Sequence, residues 1–228
     1  MRMSRVPHNM RFLTFHPKHW CICYQARYCE VDSELADFAW ANFNSIPSGW
    51  SRVQAICDFV HAHLQFDYQQ AKATRTALDA FRDRVGVCRD FTHLAITLCR
   101  CMNIPARYVT GYLGDIGVPP VPDPMDFSAW MEVYLGGRWF TFDPRHNRRR
   151  IGRIVIARGR DAIDVAITTV FGKHTLAKFL VNTEEGKDND ALEVQTNASN
   201  GDIGKETRRG MCRPAEKESP ERRRIRIA

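Results

Sequence analysis

Apolar positions recur at helical spacing through the first half of this chain and then switch to strict alternation. Ser33 is placed to cap a short helix, Glu34–Phe43, which carries Leu35, Phe38 and Trp40 and ends at Ile46-Pro-Ser-Gly49. Within Trp50–Phe66, Val53, Ile56, Cys57, Val60 and Leu64 form one apolar stripe, the mark of an amphipathic helix, with His61 and His63 beside or off it. Asp67–Thr74 is polar, and Thr76–Arg82 repeats the helical pattern with Leu78 and Phe81. The run GVCRDFTHLAITLCRCMNIPARYVTGYL, Gly86 to Leu113, then predicts about fourteen helical residues starting at Cys88. Phe91, Leu94, Ala95, Leu98 and Met102 share a stripe while Ile96 lies elsewhere, so this helix is expected to be buried on more than one side, ending at Asn103 and Pro105.

Strands follow. Arg107–Leu113 reads as one, and Gly114–Met125, with four prolines, as a loop. Ser128–Leu135 and Arg138–Asp143 flank Gly136-Gly137, which suits a two-residue hairpin turn. Pairing Leu135 with Arg138 places Tyr134 opposite Trp139, Glu132 opposite Thr141, Trp130 opposite Asp143 and Ser128 opposite Arg145. Ala129, Met131, Val133, Leu135, Phe140 and Phe142 then share an apolar face. Ser128, Trp130, Glu132, Tyr134, Trp139, Thr141 and Asp143 share the other, with Ser128 and Asp143 as diagonal neighbours. Ile151–Ala157 and Ile163–Val170 read as strands, or a strand and a short helix, and Thr175–Val181 as a closing strand.

The pattern divides the chain into an irregular leader (1–28), a folded domain (29–183) and a charged, disordered tail (184–228) that lacks aromatics. The tail carries ten basic and ten acidic side chains, so the net charge of +7 lies ahead of it, where the folded part has a basic cluster at Arg145, Arg148, Arg149, Arg150, Arg153, Arg158 and Arg160. A solvated face accounts for that cluster better than nucleic-acid binding, because no nucleic-acid module accompanies it. No apolar run is long enough to span a membrane and no secretory signal is evident. The eight cysteines show no disulfide spacing, so reduced thiols in the cytoplasm are expected.

Two places concentrate reactive side chains. His16, His19, Cys21, Cys23 and Cys29 crowd together, but their spacing matches no familiar zinc-ligand pair, and neither a metal nor another cofactor is expected. Cys88 stands at a helix start, where unpaired backbone N–H groups and the helix dipole favour a thiolate. Asp90 in the same turn is expected to stabilise the helix start. Trp130, Trp139 and Tyr134 are candidates for a substrate cleft, with cross-strand packing as the alternative.

GVCRDFTHLAITLCRCMNIPARYVTGYLGD, followed by DFSAWMEVYLGGRWFTFDPRHN, resembles the bacterial transglutaminase-like superfamily over roughly Arg27 to Glu184. The resemblance implies an α+β, papain/transglutaminase-like fold with a central Cys-bearing helix packed against an antiparallel β-sheet. It implies a Cys-His-Asp arrangement in which Cys88 is the nucleophile and Asp143 the orienting carboxylate. The base position falls on Ser128, where the family usually has histidine, and serine has no accessible pKa near neutrality for proton transfer. His93, five positions past Cys88, lies about 140° around the helix and is expected to be a packed residue. His146, beyond Pro144, is a replacement base only if a loop redirects it.

Two functions follow from the resemblance. One is a cysteine acyltransferase or amide/peptide hydrolase working through a Cys88 thioester, with Ser128 at the base position. Its substrate would be a protein or peptide (glutamine or backbone amide), with an amine or water as acceptor. The other is a catalytically impaired or inactive peptide-binding module. Neither membrane nor nucleic acid is an expected partner, and the sequence leaves the oligomeric state open.

Overall fold

The computed structural model of the chain describes residues 23–119, 127–167, 171–173, 175, 181, 183–185 and 225–227. Four helices precede the main sheet: α1 (Glu34–Phe43), α2 (Trp50–His63), α3 (Ala77–Asp83) and α4 (Cys88–Cys101). Ser33 caps α1, its hydroxyl accepting from the Leu35 N–H, and Thr76 and Asp79 form a reciprocal capping box at α3.

The second helix stops at His63, short of Phe66. Leu64 turns into extended backbone, and β1 (Gln65–Phe66) pairs in parallel with β2 (Val85–Gly86). That two-residue ladder fixes the chain immediately before Cys88, so the start of α4 is tied to the end of α2. Tyr68–Gln70, within the expected polar connection, forms a short 3₁₀ turn.

The main sheet has four antiparallel strands in the order β5-β4-β3-β6: β3 (Ala106–Leu113), β4 (Phe127–Leu135), β5 (Arg138–Phe142) and β6 (Arg153–Gly159). The hairpin register is as the alternation requires from Leu135↔Arg138 to Met131↔Phe142. Gly136 and Gly137 both have positive φ (54° and 91°), the backbone of a primed turn. Pairing ends at Phe142, so the expected pairs Trp130–Asp143 and Ser128–Arg145 do not form. The reason is local: Pro144 donates no N–H, and the Asp143 carboxylate turns back on the N–H groups of Arg145 and His146. The strand expected at Ile151–Ala157 begins two residues later, and Ala162–Val165 is a 3₁₀ turn where a strand or short helix was expected.

Helix α4 is buried from Asp90 through Cys101. The Ala129, Met131 and Val133 face of β4 packs against it, and α1, α2 and α3 cover its other sides, which is why apolar residues surround its axis. The architecture is α+β, with a Cys-bearing helix at the centre and an antiparallel sheet against it. Among the described residues no helix is long and apolar enough to cross a membrane. Most of the 1–28 leader and the 184–228 tail, and the expected closing strand but for its two end residues, lie outside the described residues. Of the tail, Ile225–Ile227 (β8) pairs with β7 (Thr183–Glu185).

Candidate active site

Cys88 is the first residue of α4, preceded by Val87 in extended conformation. Val87 has no side-chain acceptor, and the cap comes from inside the helix: the Val87 N–H donates to Asp90 Oδ2 at 2.9 Å. Asp90 is fully buried and held by Arg75 Nη1 at 3.3 Å, itself buried, and by Arg89. Gly86 makes room for this, because a Cβ there would lie 2.6 Å from Asp90 Cβ. The Gly-Val-Cys-Arg-Asp run is therefore a device for starting a helix at Cys88, and Asp90 has the stabilising role expected of it.

The cysteines separate by environment. Cys29, Cys57, Cys99 and Cys101 are buried, and loss of hydration pushes the Cys29 thiol up to about 11 and the Cys99 and Cys101 thiols up to about 12. These are neutral core thiols. Cys88 is partly exposed on a cavity of about 340 Å³, lined mainly by apolar groups that include Tyr68, Val87, Tyr108, Phe127, Ala129 and Val165. Its Sγ lies 3.9 Å from the Phe127 carbonyl oxygen.

Ser128 lines the same cavity, and its buried Oγ has no hydrogen-bond partner among the described residues. Its Cα partner across the sheet is Gly111, where a Cβ would strike the Ile154 carbonyl oxygen at 2.0 Å. Strands β3 and β6 thus approach closely beside position 128.

Asp143 stands just past β5 and is buried. Oδ1 accepts from the Arg145 and His146 N–H groups at 3.1 and 3.0 Å. Oδ2 accepts from His146 Nδ1 at 2.9 Å and from Arg153 Nη2 at 2.6 Å. Burial by itself would push this carboxyl up, but the His146 hydrogen bond and the Arg153 charge outweigh it and hold it well below the usual carboxylate range. The loop after Pro144 has redirected His146, with Asn147 at φ 47° closing the turn onto the Asp143 carbonyl at 2.8 Å.

Three candidates thus fall in two places. Cys88 and Ser128 share one cavity, while Asp143 lines another and is paired with His146 and Arg153. Arg153, whose guanidinium also lies 4.8 Å over Trp130, was not foreseen, since nothing in its local sequence distinguishes it from its arginine neighbours. His93 is a core residue, stacked between Tyr28 and Tyr108, and its Nε2 accepts from the Ala162 N–H. Burial first, then the charges of Arg89 and Arg100, hold it well below its ordinary pKa.

The aromatic face makes no cleft at Cys88. Trp130 is buried, Tyr134 packs edge-on to Trp139 at 5.2 Å, and Arg107 covers Trp139 at 3.9 Å, so the cross-strand alternative holds. The arginine cluster is no single solvated face either. Arg150, Arg153, Arg158 and Arg160 pair with Asp115, Asp143, Glu132 and Asp164. No group of three or more metal-ligating side chains occurs among the described residues, and His16, His19 and Cys21 lie outside them.

The fold is α+β and presents a partly exposed cysteine at the start of its central helix. Residues 40–144 match the Transglutaminase-like superfamily, so this part of the chain is transglutaminase-like. A solved structure from Cytophaga hutchinsonii, of a protein proposed to be a cysteine protease, is 35% identical with a TM-score of 0.64, covering 72% of this chain and 54% of that one. An uncharacterised protein of Mycobacterium leprae is 36% identical over 94 residues, 40% of this chain and 33% of that protein. One of Mycobacterium tuberculosis is 40% identical over 92 residues, 36% of this chain and 29% of that protein. The chain therefore spans about a third of the length of the curated relatives it matches and about half of the solved one.

Proposed function

We propose that this chain is a cysteine acyltransferase or amide/peptide hydrolase that works through a thioester on Cys88. The observation that carries this reading is the thiol itself, partly exposed on a cavity at the first turn of a buried helix, while the thiols deeper in the core are held neutral. In the first half-reaction Cys88 Sγ bonds to a carboxamide or peptide carbonyl carbon, and the thiol proton passes by way of a base to the leaving amine as the C–N bond breaks. In the second, an amine or water attacks the thioester, gives up its proton and regenerates the thiol.

Ser128 cannot serve as that base. The imidazole we assign to the role is His146, because Asp143 fixes its Nδ1 and leaves Nε2 to exchange the proton, while Asp143 stays ionised. Its substrate would be a protein or peptide met where thiols stay reduced, as in the cytoplasm.

A second reading, a peptide-binding module that has lost catalysis, is favoured by one observation: no histidine lines the Cys88 cavity among the described residues. Four proteins decide between them: wild type, Cys88→Ala, His146→Ala and Ser128→His. Iodoacetamide alkylation and acyl-enzyme formation would be measured against pH with glutamine-containing peptides. The enzyme reading expects Cys88 to alkylate faster than a free thiol at neutral pH and to form a thioester that Cys88→Ala abolishes. It also expects His146→Ala to slow acylation about 10²–10⁴-fold. Thioester formation confined to Ser128→His would establish the module instead.

A further inference from the structure

We propose that the arginine-lined cavity beside Asp143 binds a small oxyanion, a carboxylate or a phosphate. This cavity, about 580 Å³, is separate from that of Cys88 and is walled by Trp50, Asp143, Arg148, Arg149, Arg150 and Arg153. Two of the arginines are built in and incompletely used. The Arg150 side chain is 4% exposed, and its Nη2 donates to the Gly114 carbonyl at 3.1 Å and to Asp115 Oδ1 at 2.9 Å. Its Nε–H is buried with no partner among the described residues. Arg153 donates to Asp143 through Nη2, while its Nη1 is likewise buried and without a hydrogen-bond partner among the described residues.

Buried donors of charged groups are rarely left unpaired, and both of these belong to side chains that line this cavity. An oxyanion suits a wall of such side chains, because guanidinium N–H groups match carboxylate and phosphate oxygens in geometry and charge. The charge count agrees: among the described residues the four arginines of this wall have two paired carboxylates, Asp143 and Asp115, an excess of two positive charges. Arg148 and Arg149 are exposed, placed to draw an anion in from solvent. The exposed indole of Trp50 gives one wall an apolar surface, which suits a carbon-bearing anion.

Calorimetric titration of the full chain with succinate, and separately with inorganic phosphate, tests this. Saturable binding of either is expected, weakening as NaCl is raised. Tighter binding of succinate would assign the site to carboxylates, and tighter binding of phosphate to phosphates. Arg150→Gln should weaken binding at least tenfold and Arg149→Gln several-fold, while Arg82→Gln, an exposed arginine paired with Glu34 on another face, should leave it unchanged. If Arg150→Gln does not fold, as its Gly114 and Asp115 contacts allow, Arg149→Gln decides alone. Absence of saturable binding by both probes, or equal weakening in Arg82→Gln, would overturn the proposal. Cys88→Ala should bind as wild type does, so this test stands or fails independently of the thiol chemistry.

Discussion

Asp143 shows how a single side chain is committed by its surroundings. Four donors converge on a buried carboxylate, so removing its charge strands Arg153 and His146. Asp143→Asn is expected to cost on the order of 3 kcal/mol in urea unfolding, because it leaves a buried guanidinium without its counter-charge. The folded carboxyl titrates below the ~3.9 of an unfolded aspartate. The unfolded state therefore takes up the proton first, and the stabilisation, present above that value, is lost as pH falls through it toward the folded one. Between about pH 6 and about pH 3, wild-type stability should fall more steeply than that of Asp143→Asn. Parallel slopes would mean that Asp143 is not the ionised partner. Ser128 is the opposite case: its buried hydroxyl pairs with nothing among the described residues, so Ser128→Ala should be neutral or stabilise by up to about 1 kcal/mol. A clear loss of stability there would mean that the hydroxyl has a partner in solution.

At the scale of elements, the start of α4 and the β4–β5 hairpin were legible to very different depths. The hairpin register followed from alternation and the Gly-Gly turn alone, because a one-residue slip would turn every apolar side chain to the wrong face. The start of α4 was legible as a boundary but not as a construction. Arg75 falls between the polar stretch Asp67–Thr74 and the helical pattern Thr76–Arg82 and drew no expectation, yet it is buried and holds Asp90, and no local pattern marks an arginine for that role. Gly86→Ala tests the construction, since the added methyl lies within 2.7 Å of Asp90 Cβ and Oδ2 and must displace the carboxylate that caps Val87. A loss of roughly 2–4 kcal/mol is expected in urea unfolding, from the cap and the disturbed ion pair together, with slower alkylation of Cys88. Wild-type stability in this variant would show that the Asp90 cap contributes little.

Across the whole molecule, the sheet and α1–α3 enclose α4, so its amides should open only with global unfolding. Hydrogen exchange followed by mass spectrometry should find Asp90–Cys101 the slowest segment and β6, an edge strand with exposed Val155 and Ile156, faster. Equal rates in the two would contradict the placement of α4 at the centre.

The sequence by itself determined the helices, the hairpin and its register, the buried character of the central helix and the position of Cys88 at its start. Each of these depends on periodicity or on residues a few places apart, and such information is local. Only the tertiary structure decided that Asp143 leaves the strand, that His146 and Arg153 share its carboxylate, and that Ser128 keeps Cys88 company in a separate cavity. Those partners lie on different elements or beyond Pro144, where the ladder ends. Which of several arginines meets a given carboxylate is set by how the strands and loops pack, and periodicity carries no record of that.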